Sequence, residues 1–368
     1  MQYLLKVKQQ GPVVALTEFF RDLLREGVVE AILLPQETSG QTITPTLVTA
    51  PAGIVAANPL APLAPGNAAR LVGEVVGGSP GAKIGVVLRP CEVKALVELA
   101  KLRQVDFASL LIIGVDCLGT FEPAEYKALL SNNFDFASWL QKTAAGGEPD
   151  QNGFRIRKAC AMCEAITAEL ASVRIGWLGT SPLQELLIET DNDFPGEKFA
   201  LQAVQEPNQK RLELLAELKK KRTVKREALC AEFSAGVNTV DALRELLSTC
   251  LRCYNCRAVC PLCICQECIL VSPLFQHDAQ KYLEQATRRG FLQLPADTVL
   301  FHLIRLVHVG ISCVGCGQCE SACPVKLPLG TLFRTVGKQV QEVFQYVPGR
   351  DLEEKLPLTT YKVAEFES

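Results

Sequence analysis

The chain has 368 residues, long enough for two or three domains that each bury a core, which excludes peptide-hormone and knottin-like readings. With 48% hydrophobic and 21% charged residues it has the composition of a folded globular protein and not of a disordered one. A net charge of -2 and a pI near 6.1 leave no basic footprint for binding nucleic acid.

Cysteine stands apart, with 16 copies beside 2 Met and 3 His. Residues Met1 to Gln10 alternate like a strand and lack the apolar core of a signal peptide. The longest apolar run of the C-terminal part, Leu300 to Val309, is interrupted by charge and too short to span a bilayer. The expectation is a cytoplasmic protein with no membrane span, whose thiols bind metal instead of pairing as disulfides.

In chain order, Val28 to Leu34, Lys83 to Leu88 and Leu110 to Val115 are short β-branched runs of the kind that form buried parallel strands. They alternate with helical patterns at Val13 to Arg25, Ala68 to Val76 and Glu92 to Leu102. This alternation predicts an α/β region over residues 1–207. Between them, the Pro- and Ala-rich segment Pro51 to Gly66 reads as an ordered loop crossing a cofactor edge or as a linker. Cys91 follows one strand through Arg89-Pro90, and Cys117 follows the next through Asp116. Both thiols thus fall at the carboxyl ends of neighbouring strands, where open α/β sheets place their ligands. Cys160-x2-Cys163 precedes a further apolar strand, Arg174 to Gly179. Four unrelated core thiols would not favour strand ends, so the four read as one [4Fe–4S] centre.

From Asn208 the pattern turns helical, giving a helical linker over 208–249 whose basic run, Lys219 to Arg226, reads as a solvated helix face. A mainly α-helical ferredoxin domain is expected over 250–345, followed by a tail, 346–368, that frays or lies across a partner. The domain carries Cys250-x2-Cys253-x2-Cys256-x3-Cys260-Pro261 and repeats it as Cys313-x2-Cys316-x2-Cys319-x3-Cys323-Pro324. In such paired runs the fourth thiolate ligates the other cluster. Cys250, Cys253, Cys256 and Cys323 are therefore assigned to one cubane, and Cys313, Cys316, Cys319 and Cys260 to a second. Zinc knuckles would use isolated pairs instead of triplets with a distant Cys-Pro. Gly315 and Gly317 permit the tight wrapping that turns backbone N–H groups toward sulfur. Cys263-x-Cys265-x2-Cys268 follows directly; with Cys230 these make a fourth quartet, for which a cluster, a zinc site and spare thiols all stay open. His302 and His308 sit in an apolar helical stretch and read as packed or hydrogen-bonded core residues instead of ligands, and His277 as a residue capping or flanking a helix.

The two runs are more than forty residues apart, with helical signals at Asp278 to Arg289 and Ala296 to His308 between them. This resembles the α-helical dicluster ferredoxins of the succinate dehydrogenase iron–sulfur subunit and the heterodisulfide reductase small subunit. In the first half, Gly11-Pro-Val-Val-Ala-Leu, Arg89-Pro-Cys-Glu-Val-Lys-Ala-Leu, Ile113-Gly-Val-Asp-Cys-Leu-Gly-Thr and Cys160-Ala-Met-Cys-Glu-Ala-Ile-Thr-Ala-Glu-Leu-Ala resemble the coenzyme F420 hydrogenase/dehydrogenase beta-subunit family, which includes formate dehydrogenase beta subunits. The resemblance implies a [4Fe–4S] cluster on Cys91, Cys117, Cys160 and Cys163. It also implies FAD, with Gly11, Val13, Asn58 and Asn67 as candidate contacts. Pro12 replaces the family's second glycine, and Ala56-Ala-Asn-Pro-Leu-Ala replaces its glycine-serine-basic-aromatic element.

The resulting expectation is three [4Fe–4S] clusters, or four if the extra quartet binds one, with FAD as a candidate further cofactor. The chain reads as an electron-transfer subunit of a multisubunit formate dehydrogenase, hydrogenase or heterodisulfide reductase-type complex, with no catalytic dyad of its own. The alternatives are a self-contained flavin-dependent reductase of a deazaflavin or nicotinamide cofactor, and a metal-stabilised interaction module without redox work.

Overall fold

The computed structural model describes residues 1–38, 42–78, 81–191, 194–205, 208–272, 279–290 and 296–360. Its first part runs β1 (Gln2–Lys6), α1 (Pro12–Arg25), β2 (Ala31–Glu37), β3 (Ile43–Val48), α2 (Ala69–Gly78), β4 (Ile84–Leu88), α3 (Pro90–Lys101) and β5 (Leu110–Val115). It continues through α4 (Pro123–Ser131), α5 (Phe136–Ala144), α6 (Lys158–Ala161), β6 (Val173–Gly176), β7 (Glu185–Thr190) and β8 (Leu201–Val204). The strands form one eight-stranded sheet in the order β3-β2-β4-β5-β6-β7-β1-β8.

The centre of the sheet, β2-β4-β5-β6, is parallel, and its flanks pair antiparallel. The central sequences explain this: Ile84–Leu88 and Leu110–Val115 are apolar throughout and every residue is buried, as strands covered on both faces must be. The segment Pro51 to Gly66 is an ordered, largely buried loop. Arg89, itself buried, donates from Nη2 to the carbonyls of Ala61 and Leu63 at 3.0 and 2.7 Å and so ties the loop to the end of β4.

The second part is helical: α7 (Gln209–Gly236), α8 (Val240–Leu246), α9 (Asn255–Ala258), α10 (Ala279–Arg289), α11 (Ala296–Val309), α12 (Gln318–Ser321) and α13 (Leu329–Val343). It shares a core with one face of the sheet, where Leu96, Leu99 and Ile112 pack in the same cluster as Leu247, Phe301, Leu332 and Phe333. A buried polar lock joins the two parts: Glu98, fully buried on α3, accepts from the Tyr346 hydroxyl at 2.6 Å and the Gly349 N–H at 2.8 Å, while Lys101 Nζ donates to the same hydroxyl at 2.8 Å. Among the described residues no helix is long and apolar enough to cross a membrane. His277 lies outside the described residues.

The stretch expected as a linker contains α7, and one stripe of that helix is fastened to the sheet. Arg211 donates from Nη2 to Asp116 Oδ1 at 3.0 Å and from Nη1 to Asp116 Oδ2, with both side chains 3% exposed. Asp116 also accepts from the N–H groups of Trp177 and Leu178. Two and three turns further on, Leu218 and Arg222 are buried on the same stripe, while Lys219, Lys220 and Lys221 are exposed. The basic run is therefore a solvated face only in its lysines. Because Asp116 precedes Cys117, this ion pair holds the strand end on which that thiol sits. Truncating one member of a buried, hydrogen-bonded pair leaves the other charge unpaired. Arg211→Leu is expected to cost about 3–5 kcal/mol in urea unfolding, with the Asp116→Asn, Arg211→Leu double variant costing less than the sum of the two single ones.

Candidate metal centres

Among the described residues, twelve of the cysteines line three cavities in groups of four. The first lies at the carboxyl edge of the sheet and is lined by Cys91, Cys117, Cys160 and Cys163. Cys91 stands in the first turn of α3, whose Glu92 accepts from the N–H groups of Arg89 at 2.7 Å and Ala68 at 3.1 Å and so fixes the adjoining loop. Cys117 leaves β5 and its Sγ accepts from the Gly119 N–H at 3.4 Å. Cys160 lies on α6 beside Thr120, whose hydroxyl is 3.6 Å from its Sγ and accepts from Arg157 Nε at 2.9 Å. Arg222 of α7 reaches the same wall and donates to the carbonyls of Cys160 and Leu118.

The outer cavity of the helical part is lined by Cys250, Cys253, Cys256 and Cys323 together with Phe301, His302 and Leu329. The inner one is lined by Cys260, Cys313, Cys316 and Cys319 with Arg305 and Phe333. These are the crossed groupings expected from the paired runs. Backbone N–H groups turn to sulfur as well: Arg252 N donates to Cys250 Sγ at 3.5 Å and Leu327 N to Cys323 Sγ at 3.4 Å.

The two runs wrap alike, yet with different residues. Arg252 and Tyr254 in the first run hold φ near 54° and 58°, and the matching Gly315 and Gly317 in the second hold 69° and 72°. Glycine is needed in the second run for space as much as for the left-handed backbone. A Cβ on Gly317 would stand 2.2 Å from that of Ala159, and one on Gly315 would stand 1.9 Å from Arg334 Nη1. The inner run is thus pressed against the sheet-edge site, and Gln318 lines that site directly.

The donor sets suit cubanes, which need four soft thiolates converging from different directions. Among the described residues no group of three or more His, Cys, Asp or Glu could hold a single metal ion. A tetrahedral zinc with bonds of ~2.3 Å to sulfur needs closer sulfurs than a cubane, which puts each thiolate on a separate iron. Buried donors without partners among the described residues also border the cavities: Asn67 Nδ2 and, on Arg305, Nε and Nη1.

The remaining thiols are less gathered. Cys263 packs beside Cys260 and Arg305, Cys265 is exposed, Cys268 is half-buried, and Cys230 is half-buried on α7. Of the candidate flavin contacts, Gly11 caps α1 with φ near 88° and no side-chain cap, and Val13 lies in the first turn. Asn58 is buried, with Nδ2 3.3 Å from Glu37 Oε2 and Oδ1 without a partner among the described residues. Taken singly, an uncapped helix start suits a phosphate and an orphaned amide oxygen suits a hydroxyl donor. Asn67 lies apart from this role, on the wall of the sheet-edge cavity and close to the Cys316 thiol.

Sequence reading missed the polar groups around the thiols. His302, expected as a packed or hydrogen-bonded core residue, is buried with Nε2 3.4 Å from Cys250 Sγ; burial, with Arg305 nearby, lowers its pKa to about 4, so the ring is neutral. Arg157, Arg222 and Arg305 carried no motif. The available signal was arginine at helical spacing with acidic and apolar neighbours, which identifies an inward face only once the helix is docked.

Burial raises the thiol pKa at Cys117, Cys256 and Cys316 to about 11, and pushes Cys91 well up. At Cys160 burial acts the same way, but Arg157 and Thr120 outweigh it and bring the thiol below its usual value. The buried thiols with raised pKa are therefore protonated at neutral pH in the metal-free chain, and metal binding must displace those protons. Metal uptake by the anaerobic apo-chain is expected to release protons and to weaken as pH falls from about 9 to about 6, measured by calorimetry in buffers of different ionisation enthalpy. Gly317→Ala, which places a methyl against Ala159, is expected to lower stability by about 1–3 kcal/mol in thermal or denaturant unfolding.

Comparison with known proteins bears on the same residues. Residues 81–206, which contain all four sheet-edge cysteines, match the family model that describes the C terminus of the coenzyme F420 hydrogenase/dehydrogenase beta subunit. The F420-dependent formate dehydrogenase subunit beta of Methanocaldococcus jannaschii is 26% identical over 369 residues, covering 92% of this chain and 92% of its own. The F420-dependent formate dehydrogenase 1 subunit beta of Methanococcus maripaludis is 26% identical over 371 residues, covering 92% of this chain and 90% of its own. A chain in a solved structure of the F420-reducing [NiFe] hydrogenase complex from Methanosarcina barkeri is similar at a TM-score of 0.46 and 14% identity, over 66% of this chain and 94% of that one. Over residues 81–206 the chain thus carries the C-terminal region of the coenzyme F420 hydrogenase/dehydrogenase beta subunit, and along nearly its whole length it is similar to formate dehydrogenase beta subunits.

Proposed function

We propose that the chain is an electron-transfer subunit of a multisubunit oxidoreductase of the formate dehydrogenase or hydrogenase type, holding three [4Fe–4S] clusters in a row. The observation that carries this reading is that the inner ferredoxin cavity adjoins both others. Gly317 and Gln318 press its loop onto the sheet-edge site, and Arg305 reaches from it to the Cys256 carbonyl, 3.1 Å away. Bound clusters supply one-electron transfer, and a flavin, where carried, converts between hydride and single electrons.

The chain's own residues do the rest. The twelve thiolates ligate, and N–H groups at Gly119, Arg252 and Leu327 donate to their sulfurs, which favours the reduced state. Apolar walls such as Phe301 and Leu329 keep water from the outer site, while Cys253 is exposed and gives that site an edge toward a partner subunit. FAD, where carried, would draw on Gly11 and Val13 at the start of α1 and on Asn58 of the loop after β3. The relatives' names associate formate oxidation and coenzyme F420 with proteins built on nearly the same length of chain. On that ground the electrons here pass between a deazaflavin- or flavin-linked site and a partner's redox centre.

The test is anaerobic analysis of iron, sulfide and flavin, with redox titration followed by electron paramagnetic resonance. About twelve iron per chain are expected, and Cys91→Ser is expected to remove about four of them. About sixteen would add a cluster on Cys230, Cys263, Cys265 and Cys268, and about eight would confine the clusters to the ferredoxin runs. Iron unchanged in Cys91→Ser would remove the sheet-edge site from the row, and a colourless wild-type chain would end the proposal.

A further inference from the structure

Helix α11 carries Arg305 into the space between the two ferredoxin cavities, where it is 4% exposed. Its guanidinium lies 4.7 Å from the Phe333 ring centroid and 5.7 Å from that of Phe301. Nη2 donates to the Cys256 carbonyl at 3.1 Å, on the ligand loop of the outer site. Nε and Nη1 are buried and meet no nitrogen or oxygen acceptor among the described residues; the side chain lies against the Cys263 thiol and forms part of the inner cavity's wall. The neighbours that act on its charge are the thiols of Cys256, Cys263, Cys260 and Cys319, drawn from both cavities and the thiol beside them. The other arginine beside the outer site, Arg252, pairs with Asp297 at 2.6 Å.

A buried cation whose N–H groups face only thiols and aromatic rings is costly unless an anion meets it, because neither satisfies those donors fully. We propose that Arg305 is the shared countercharge of the two ferredoxin-type clusters, donating from Nε and Nη1 to sulfur of the inner one and bound through the Cys256 carbonyl to the loop of the outer one. Reduction adds negative charge to a cluster, so a fixed cation between the two raises both potentials and couples them. This rests on the cluster reading above. Arg305 acts as a positioning and tuning residue and ligates nothing.

The test uses the full chain, purified without oxygen, as wild type, Arg305→Gln and Arg305→Lys, with iron content and potentiometric titration of each paramagnetic signal. Arg305→Gln is expected to keep wild-type iron and to lower the reduction equilibrium of both ferredoxin-type clusters about tenfold, or 59 mV for one electron. The sheet-edge cluster serves as the internal control and stays unchanged. Arg305→Lys is expected to regain at least half of that shift, because the charge remains and the planar fork is lost. A fully loaded Arg305→Gln whose potentials stay put, a shift confined to one cluster, or a lysine variant that falls as far as the glutamine one would overturn the proposal. If Arg305→Gln loses iron, Arg305→Lys decides: full iron with near wild-type potentials supports the charge role, and loss of iron there too makes Arg305 a packing residue. Absence of clusters in the wild-type chain would refute the function itself and is read before either variant.

Discussion

Gathering four thiols in one cavity away from water is the constraint on which this architecture turns. As thiolates they repel one another and lose hydration; as thiols they are poor ligands. The fold answers with inward-facing arginines and backbone N–H groups. Arg89, Arg157 and Arg222 line the sheet-edge cavity, and Arg305 lines the inner one. None of these arginines sits at a surface where water could screen it, so each acts in a medium of low dielectric where its charge counts for more. The long basic helix α7, which has the sequence of a solvated connector, is part of this answer because one of its stripes delivers Arg211 and Arg222 to the strand end and the cysteine loops.

The proposed row of clusters follows from how closely the two halves are joined. A ferredoxin domain on a flexible tether would leave transfer between the halves to chance encounters. Here the second half packs its core onto a face of the sheet, and Glu98, Lys101 and Tyr346 lock the contact in a buried network. The near-repeat of the two cysteine runs is broken where this contact requires it. The outer run reaches the left-handed backbone with Arg252 and Tyr254 and keeps their side chains for an ion pair with Asp297 and an edge contact on Phe301. The inner run reaches it with glycines because Ala159 and Arg334 occupy the space that side chains would need.

Local elements and the grouping of the cysteines were legible in the residue order. Continuous β-branched runs announced β4 and β5 to within a residue, amphipathic periods announced α1 to α3, and the spacing of the ferredoxin runs announced which eight thiols would share two cavities. Those signals are short-range: a strand buried on both faces and a loop wrapped round sulfur each need particular residues at fixed short intervals. Relations between residues far apart in the chain came only with the folded molecule. The antiparallel flank β7-β1-β8 brings the chain's first strand beside Glu185–Thr190, a pairing no local pattern encodes. The inward turn of Arg222 and Arg305, the approach of His302 to Cys250 and the place of Asn67 at a cysteine cavity depend on which helix face meets a partner, and long-range packing sets that orientation where composition is the same on either side.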